Sequence, residues 1–203
     1  LTVPRPDDAT RFFAVAERDV PPVIVFSENF DGPAPGWTTG FDPADTLMNT
    51  VWELGIPTLV GPPAANSGAN CYGTNLAANY GRDSNTWLRT PSAPGIDLTT
   101  ATGATLVFQQ WVDMDDFDFG DTGTVRVLKA GDLPGTVTEL GVVKTNIQGL
   151  DPAGWAEFSA QLPAAALGET IALEFRFVSD DYADADASGW YIDDVTVTAN
   201  QSP

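Results

Sequence analysis

Apolar and polar residues alternate in two segments near the end of the chain. In Ile171-Ala-Leu-Glu-Phe-Arg-Phe-Val178 the apolar residues at positions 173, 175 and 177 alternate with Glu174 and Arg176. A similar pattern runs from Ser188 to Val197. A period of two residues is typical of a strand with one face on a core, whereas a helix repeats every 3.6 residues. Both segments are therefore predicted to be β-strands.

The rest of the chain reads as short strands separated by clusters of Gly, Pro, Asn and Asp. The composition includes 19 glycines and 16 prolines, as expected where tight turns join many strands. Only residues 163–167 suggest a turn of helix. The pattern predicts an all-β fold, a jelly-roll β-sandwich of two antiparallel sheets. The predicted strands are Val23–Phe30, Thr50–Leu54, Cys71–Asn75, Thr86–Arg89, Ala104–Val112, Gly123–Leu128, Glu139–Val143, Ala156–Gln161, Ile171–Val178 and Trp190–Thr198.

The chain of 203 residues suits one sizeable domain. Residues 1–22 differ from the remainder, because they contain three of the seven arginines and end in Pro21-Pro22. We interpret them as a linker or as a strand of a preceding domain, and residues 23–203 as the jelly-roll domain. Residues 55–70 form a long irregular loop, of the kind that shapes a binding face.

The chain is strongly acidic, with 28 Asp and Glu against 9 Lys and Arg and a net charge of −19. Such a surface repels nucleic acids and anionic lipids and attracts divalent cations. No segment approaches the roughly 20 apolar residues that cross a membrane, so membrane insertion is not expected.

Histidine is absent, which excludes Ser-His-Asp and Cys-His catalysis and zinc sites built on imidazole. The single cysteine, Cys71, cannot form an intramolecular disulfide and is expected to be a buried, inert thiol. Paired carboxylates of the glycosidase kind cannot be picked out among so many acidic residues. We therefore predict that the chain is not an enzyme.

Two adjacent carboxylates, Asp193 and Asp194, interrupt the hydrophobic closing strand. A carboxylate in such a position is costly to desolvate unless it meets a cation or several hydrogen-bond donors. In jelly rolls the opening and closing strands run side by side, which would bring Glu28 and Asp31 close. Calcium takes 6–8 oxygen ligands. We predict a Ca²⁺ site here, the alternative being carboxylates that only cap a turn or accept backbone N–H groups.

Two loops are also rich in aspartate, residues 111–121 and 179–189. If both lie at the same end of the sandwich, mutual repulsion would raise some carboxyl pKa values unless cations were bound. The alternatives are one or more calcium ions or a solvated acidic rim; the EF-hand pattern is missing. The candidate ligands are Asp113, Asp116, Asp118, Asp180, Asp181, Asp184 and Asp186.

The chain has six tryptophans and four tyrosines. Tryptophans at strand positions usually pack in a core, which we predict for Trp87, Trp111 and Trp190. Sugars stack on exposed aromatic rings. The loop residues Tyr80 and Tyr182, with Trp52 just before the long loop, are the predicted ligand-binding aromatics.

Two short motifs resemble those of a known family. Ser27-Glu-Asn-Phe-Asp-Gly32 followed by Gly36-Trp37 is similar to the opening of MAM domains, and Gly189-Trp-Tyr-Ile-Asp-Asp-Val195 to their ending. The same order occurs in related bacterial jelly rolls, the cleaved-adhesin modules of gingipains and the C-terminal region of immune inhibitor A-type proteases. The chain lacks the paired cysteines of animal MAM domains, which favours the bacterial relatives. This resemblance, over residues 26–198, implies a jelly roll with calcium near the terminal strands.

Together these observations predict a non-catalytic, calcium-stabilised module of a larger secreted or cell-surface protein. Its predicted ligand is a glycan or polysaccharide. The alternatives are a module that binds a cell-surface protein in adhesion, or a structural spacer.

Overall fold

The computed structural model describes residues 20–58, 60–115, 120–182 and 187–201. Over these residues the chain forms two antiparallel sheets of six strands each, which confirms the predicted all-β sandwich. None of the helical segments found there has the length and apolarity that crossing a membrane requires. The strands are β1 (Val23–Glu28), β2 (Thr38–Phe41), β3 (Trp52–Gly55), β4 (Cys71–Thr74), β5 (Asn85–Arg89), β6 (Ile96–Asp97), β7 (Ala101–Asp113), β8 (Thr122–Lys129), β9 (Glu139–Ile147), β10 (Ala156–Gln161), β11 (Thr170–Val178) and β12 (Gly189–Gln201).

The two strands with the clearest alternation lie inside the two sheets. The first sheet has the order β10-β7-β12-β4-β3, and β1 also pairs with β12. The second has the order β2-β5-β11-β8-β9, and β6 also pairs with β11. The opening strand β1 thus runs antiparallel beside the closing strand β12, from Val23 opposite Ala199 to Glu28 opposite Val195.

Large apolar side chains from both sheets fill the space between them. Leu173, Phe175 and Phe177 of β11 are fully buried, as their alternation predicts. The ring of Phe175 lies 5.2 Å from that of Phe108 and 5.9 Å from that of Trp190, measured between centroids. Burial of one such side chain stabilises the fold by about 1.5–3 kcal/mol. The prediction that Trp190 belongs to the core is confirmed.

Two short strands are absent from the sequence-based prediction. Residues Thr38–Phe41 include a glycine and show no alternation, yet they form β2 by pairing with β5, Thr38 opposite Arg89 and Phe41 opposite Thr86. The two-residue strand β6 likewise exists through its pairing with β11. Both elements depend on a neighbouring strand and not on their own propensity. The predicted turn of helix is present as a 3₁₀ turn at Ala164–Ala166.

The long loop of residues 55–70 packs on the outer face of the first sheet. The indole N–H of Trp155 donates to the carbonyl oxygen of Ala64 at 2.9 Å, and a side chain at Gly61 would overlap the ring of Tyr191. Beneath the loop, Cys71, Leu76 and Tyr191 form a second, smaller apolar cluster, on which Trp111 packs. Trp111 therefore lies outside the main core, so its predicted place there is wrong. Burial, with a smaller effect of Asp193, raises the pKa of Cys71 to about 12, as befits an inert thiol.

The outer face of the second sheet carries a buried ionic cluster. Glu174 of β11 is fully buried and lies opposite Arg89 of β5 and Arg126 of β8. Its carboxylate accepts from Nε of Arg89 at 2.7 Å, of Arg126 at 2.9 Å and of Arg176 at 3.2 Å. Burial alone would raise the pKa of Glu174, but Arg126 and Arg89 more than offset that effect and lower it.

Replacing this carboxylate should destabilise the fold. In Glu174→Gln, three guanidinium groups would face one another around a neutral side chain, so we expect the free energy of unfolding at pH 7 to fall by about 3 kcal/mol. Urea denaturation measures the loss. Glu157→Gln, which changes an exposed glutamate of β10, is the control and should unfold like the wild type.

The same substitution should change the response to acid. Because the pKa of Glu174 is below its ordinary 4.5 in the folded state, its contribution is complete above pH 4.5 and is lost as pH falls toward the lowered value. The difference in stability between wild type and Glu174→Gln should therefore shrink below pH 4.5. An undiminished difference at pH 3 would contradict this account.

Candidate metal site and ligand-binding face

The loop segment 66–69 meets carboxylates from both ends of the domain. Ser67 donates its backbone N–H to Asp193 at 3.0 Å and its hydroxyl to Asp194 at 2.7 Å. The amide of Asn66 also donates to Asp194, at 2.8 Å. Two consecutive strand residues normally point to opposite faces. A bulge between Asp193 and Thr196 in the pairing of β12 with β7, with Asp194 at φ +50°, lets both carboxylates contact Ser67.

Asp193 is a buried carboxylate without an ion pair in the described part of the chain. Its hydrogen-bond donors are the backbone N–H groups of Ser67, of Asp194 (at 2.8 Å) and of Asn66. Burial raises the pKa of Asp193 to about 6, with a further contribution from the charge of Asp194, although these N–H groups oppose the shift. The ionised carboxylate of Asp193 thus has hydrogen-bond donors but no positively charged partner among the described residues.

Asp31, just beyond the opening strand, lies against the same loop segment. One of its oxygens accepts the backbone N–H of Ala69 at 2.7 Å. Gly68 has φ +55°, and a side chain there would overlap the carboxylate of Asp31, so only glycine lets the loop approach this closely. Glu28 accepts the backbone N–H of Phe30 at 3.0 Å. Burial raises the pKa of the Tyr72 hydroxyl, and the negative charge of Glu28 raises it further.

The structure thus gathers the four predicted ligands Glu28, Asp31, Asp193 and Asp194 around one region. Within the described residues, however, no three or more Asp, Glu, Cys or His side chains are arranged so that they could hold a metal ion. The groups that contact them are N–H and O–H groups of nearby residues. Calcium at this place stays a prediction.

The acidic loops approach each other at one end of the sandwich. Asp113 accepts the hydroxyl of Ser188 at 2.7 Å, and the backbone N–H of Asp180 donates to Asp121 at 2.8 Å. A side chain at Gly120 would overlap that of Asp180, while Asp181 is exposed. Asp116, Asp118, Asp184 and Asp186 lie outside the described residues. Whether this region binds a cation stays open.

Two of the three predicted ligand-binding aromatics, Tyr80 and Trp52, are buried, so neither offers the exposed ring on which a sugar stacks. Tyr80 packs its ring 5.0 Å from that of Phe177 and donates its hydroxyl to Asp121. Trp52 packs edge-on against Trp190, with 5.6 Å between ring centroids. Both rings pack in the main hydrophobic core and are not available to a ligand. Tyr182 is 73% exposed and remains a candidate.

Trp87, predicted to be in the core, is instead half-buried on the outer face of the second sheet. Its indole crosses β2 at Gly40, where any side chain would overlap the ring. The guanidinium carbon of Arg89 lies 3.8 Å from the ring centroid, a distance at which cation and aromatic ring attract. Neighbouring residues of a strand point to opposite faces, and Leu88 is fully buried, so Trp87 faces outward. The alternation of apolar and polar residues in β5 could have predicted this.

Two grooves flank Trp87, and both are lined by Trp87 and Arg89. One, of about 380 Å³, also contacts Thr38, Thr39 and Ser92. The other, of about 480 Å³, also contacts Arg126 and Arg176. The outer face of the second sheet is therefore open around one aromatic ring, with Leu133 and Pro134 in the first groove and the arginines in the second.

The close approach of the loop to Asp31 can be tested by adding one methyl group. Gly68→Ala places a side chain at a left-handed position and against a carboxylate, so we expect the free energy of unfolding to fall by about 2 kcal/mol. Gly32→Ala is the matched control, because no atom lies within 4 Å of the added methyl. Equal stability of the two variants in thermal or urea unfolding would contradict this packing.

Comparison with known proteins finds solved structures with a similar fold and a curated protein with a similar sequence. No family model matches the chain. Bacillopeptidase F of Bacillus subtilis (strain 168) is 30% identical over 174 residues, which is 85% of this chain and 10% of that protein. The chain thus spans about a tenth of the length of the curated relative that it matches.

Among solved structures, a cyclase from Fischerella sp. TAU superposes with a TM-score of 0.56 at 17% identity, over 90% of this chain and all of the cyclase. The K2 cleaved adhesin domain of Lys-gingipain superposes with a TM-score of 0.50 at 19% identity, over 85% and 98% of the two chains. A xylan-binding domain from Paenibacillus barcinonensis gives 0.50 at 14% identity, over 90% and 97%. The architecture and these superpositions together show that the chain has a jelly-roll fold, which it shares with the cleaved adhesin domain, the cyclase and the xylan-binding domain.

Proposed function

We propose that the chain is a non-catalytic carbohydrate-binding module of a larger extracellular protein, and that its ligand lies across Trp87 on the open face of the second sheet. The observation that carries this proposal is the half-buried indole of Trp87 with a groove on each side. Pyranose rings present apolar C–H faces and polar hydroxyls, which suits a surface that combines an aromatic ring with fixed donors.

Hydrogen-bond donors on this face are available to hydroxyl groups. Neither the indole N–H of Trp87 nor Nη1 of Arg89 has an acceptor among the described residues. Arg89 is held in place because its Nε and Nη2 bond to the buried Glu174. A donor that is fixed before the ligand arrives loses little entropy on binding.

The charges of the face favour an uncharged ligand. Its three arginines are matched by three carboxylates, since Glu174 contacts all of them, Glu139 bonds to Arg126 at 3.0 Å and Asp42 to Arg176 at 3.2 Å. The face is thus locally neutral within a strongly acidic protein, which would repel an anionic polymer. We infer that the ligand is a neutral polysaccharide.

The comparisons support a binding module at the level of fold. An adhesin domain and a xylan-binding domain share this architecture, and the curated relative is much longer than the chain, as expected for one module of a larger protein. A cyclase shares the architecture too. The choice of a binding role therefore rests on the Trp87 face, and the extracellular setting on the kinship with Bacillopeptidase F and gingipain.

The first test removes the aromatic ring. Affinity electrophoresis through gels containing xylan or another neutral polysaccharide should show retardation of the wild type and a loss of at least tenfold in affinity in Trp87→Ala. Tyr182→Ala, which removes an exposed ring on an acidic loop, is the matched control and should be retarded normally.

Two results would contradict the proposal. Loss of retardation in Tyr182→Ala but not in Trp87→Ala would move the ligand to the acidic loops. If no neutral polysaccharide retards the wild type, the inference that the ligand is a glycan is wrong and a protein ligand is favoured.

We further propose that calcium stabilises the module where β1 and β12 meet the loop segment 66–69. The donors fit calcium in kind, since Asp31, Asp193 and Asp194 are hard oxygen ligands. A carboxylate has about four lone-pair sites, and the hydrogen bonds use three on Asp193 and two on Asp194, which leaves sites for an ion on both. The ion would supply the positive charge that buried Asp193 lacks.

Removal of calcium tests this second proposal. A ligand that binds only the folded state raises its melting temperature, so EDTA should lower that of the wild type by several degrees relative to calcium-saturated protein. Asp194→Asn should abolish the difference while tolerating the positive φ. Asp97→Asn, in an exposed turn of β6, should keep it. A wild-type melting curve that is identical in EDTA and in calcium would rule the ion out.

A further inference from the structure

A separate cleft opens between the two sheets where their edge strands β9 and β10 lie. Its volume is about 330 Å³, near the lower limit for ligand pockets, which suits one six-membered ring. It shares no lining residue with the grooves beside Trp87. The residues used below that line it are Gln110, Val112, Lys144 and Phe158.

Lys144 gives the cleft an uncompensated positive charge. The described residues include six lysines and arginines, of which Arg82, Arg89, Arg126, Lys129 and Arg176 form ion pairs and Lys144 does not. An unpaired ammonium is unexpected in a chain of net charge −19. The side chain of Lys144 is exposed and borders the cleft from β9.

Gln110 gives the cleft an oriented donor. The buried indole of Trp190 donates its N–H to Oε1 of Gln110 at 3.2 Å. An indole N–H cannot accept a hydrogen bond, so this contact fixes which end of the amide is oxygen. The NH₂ group of Gln110 then faces away from Trp190, and no described residue accepts from it.

The remaining wall combines apolar side chains with the polar Asn146 and Gln148. Val112 and Phe158 both line the cleft, and the ring of Phe158 is held 4.8 Å from that of the buried Phe108, between centroids. One fixed aromatic ring, one cation and one amide donor form a small amphipathic pocket. Protection of an exposed sheet edge would account for Lys144, and the hydrogen bond from Trp190 accounts for the oxygen of Gln110. Neither accounts for the NH₂ group of Gln110, which has no acceptor among the described residues.

We propose that this cleft binds a single carboxylate carried on a ring of hexose size, with Lys144 and the Gln110 amide as donors and Phe158 against the ring. One ammonium matches one carboxylate, and charge-assisted hydrogen bonds to such a pair are among the stronger kind. A uronic acid and a small aromatic acid share this chemistry. The site is independent of the one around Trp87.

Titration of the ¹⁵N-labelled 203-residue chain with D-glucuronate, D-glucose and benzoate, followed by NMR, tests the site. Saturable shifts in β9 and β10 are expected with at least one of the two acids, and none with glucose, which has the ring without the charge. Binding of glucuronate alone identifies a sugar acid, and binding of benzoate alone an aromatic acid. Lys144→Met should weaken binding by roughly tenfold and Lys144→Arg much less.

Lys129→Met is the matched control, because it removes the same charge from a lysine paired with Glu169 and should leave binding unchanged. A melting curve checks that each variant is folded. Three results would overturn the site: no saturable binding of either acid up to tens of millimolar, equal binding of glucose and glucuronate, or equal binding by Lys144→Met and wild type.

Discussion

The outer face of the second sheet depends on one buried negative charge. Glu174 joins the guanidinium groups of three neighbouring strands, which would otherwise repel one another. Because Arg89 is anchored on Glu174, its remaining N–H groups and the adjacent ring of Trp87 are held in fixed positions. An ionic cluster that stabilises the sheet therefore also fixes the donors of the face on which we propose that a ligand binds.

The two sheets treat their outer faces differently. The first is covered by the loop of residues 55–70, which buries Cys71 and Tyr191 in a small second cluster. The second has no such cover around Trp87 in the described part of the chain. The long irregular loop, which was expected to shape a binding face, packs on the first sheet, and the outer face of the second sheet is left open.

Alternation was sufficient to predict β11, β12 and the core residues on them, because burial of one strand face imposes a period of two. It was insufficient for β2, which exists only through pairing with β5. The adjacency of the terminal strands, which the sequence predicted, places Asp31, Asp193 and Asp194 against the same loop segment. The part played by Ser67 and Gly68 was not, because an irregular loop leaves no periodic signal. Tyr80 was wrongly predicted to be exposed for the same reason. Its hydroxyl donates a hydrogen bond to Asp121, and no local sequence pattern predicts that contact.

The pairing of β1 with β12 has a mechanical consequence. Val23 lies opposite Ala199 and Glu28 opposite Val195, so the outermost pair is formed by the beginning of β1 and the end of β12. Tension applied through both ends would peel these strands apart one residue pair at a time, which resists force less than sliding a whole ladder at once. The peeling front would arrive at Asp193 and Asp194 after six residues of β1 had been released. The proposed calcium ion would therefore resist further separation of the strands before force reaches the rest of the sandwich.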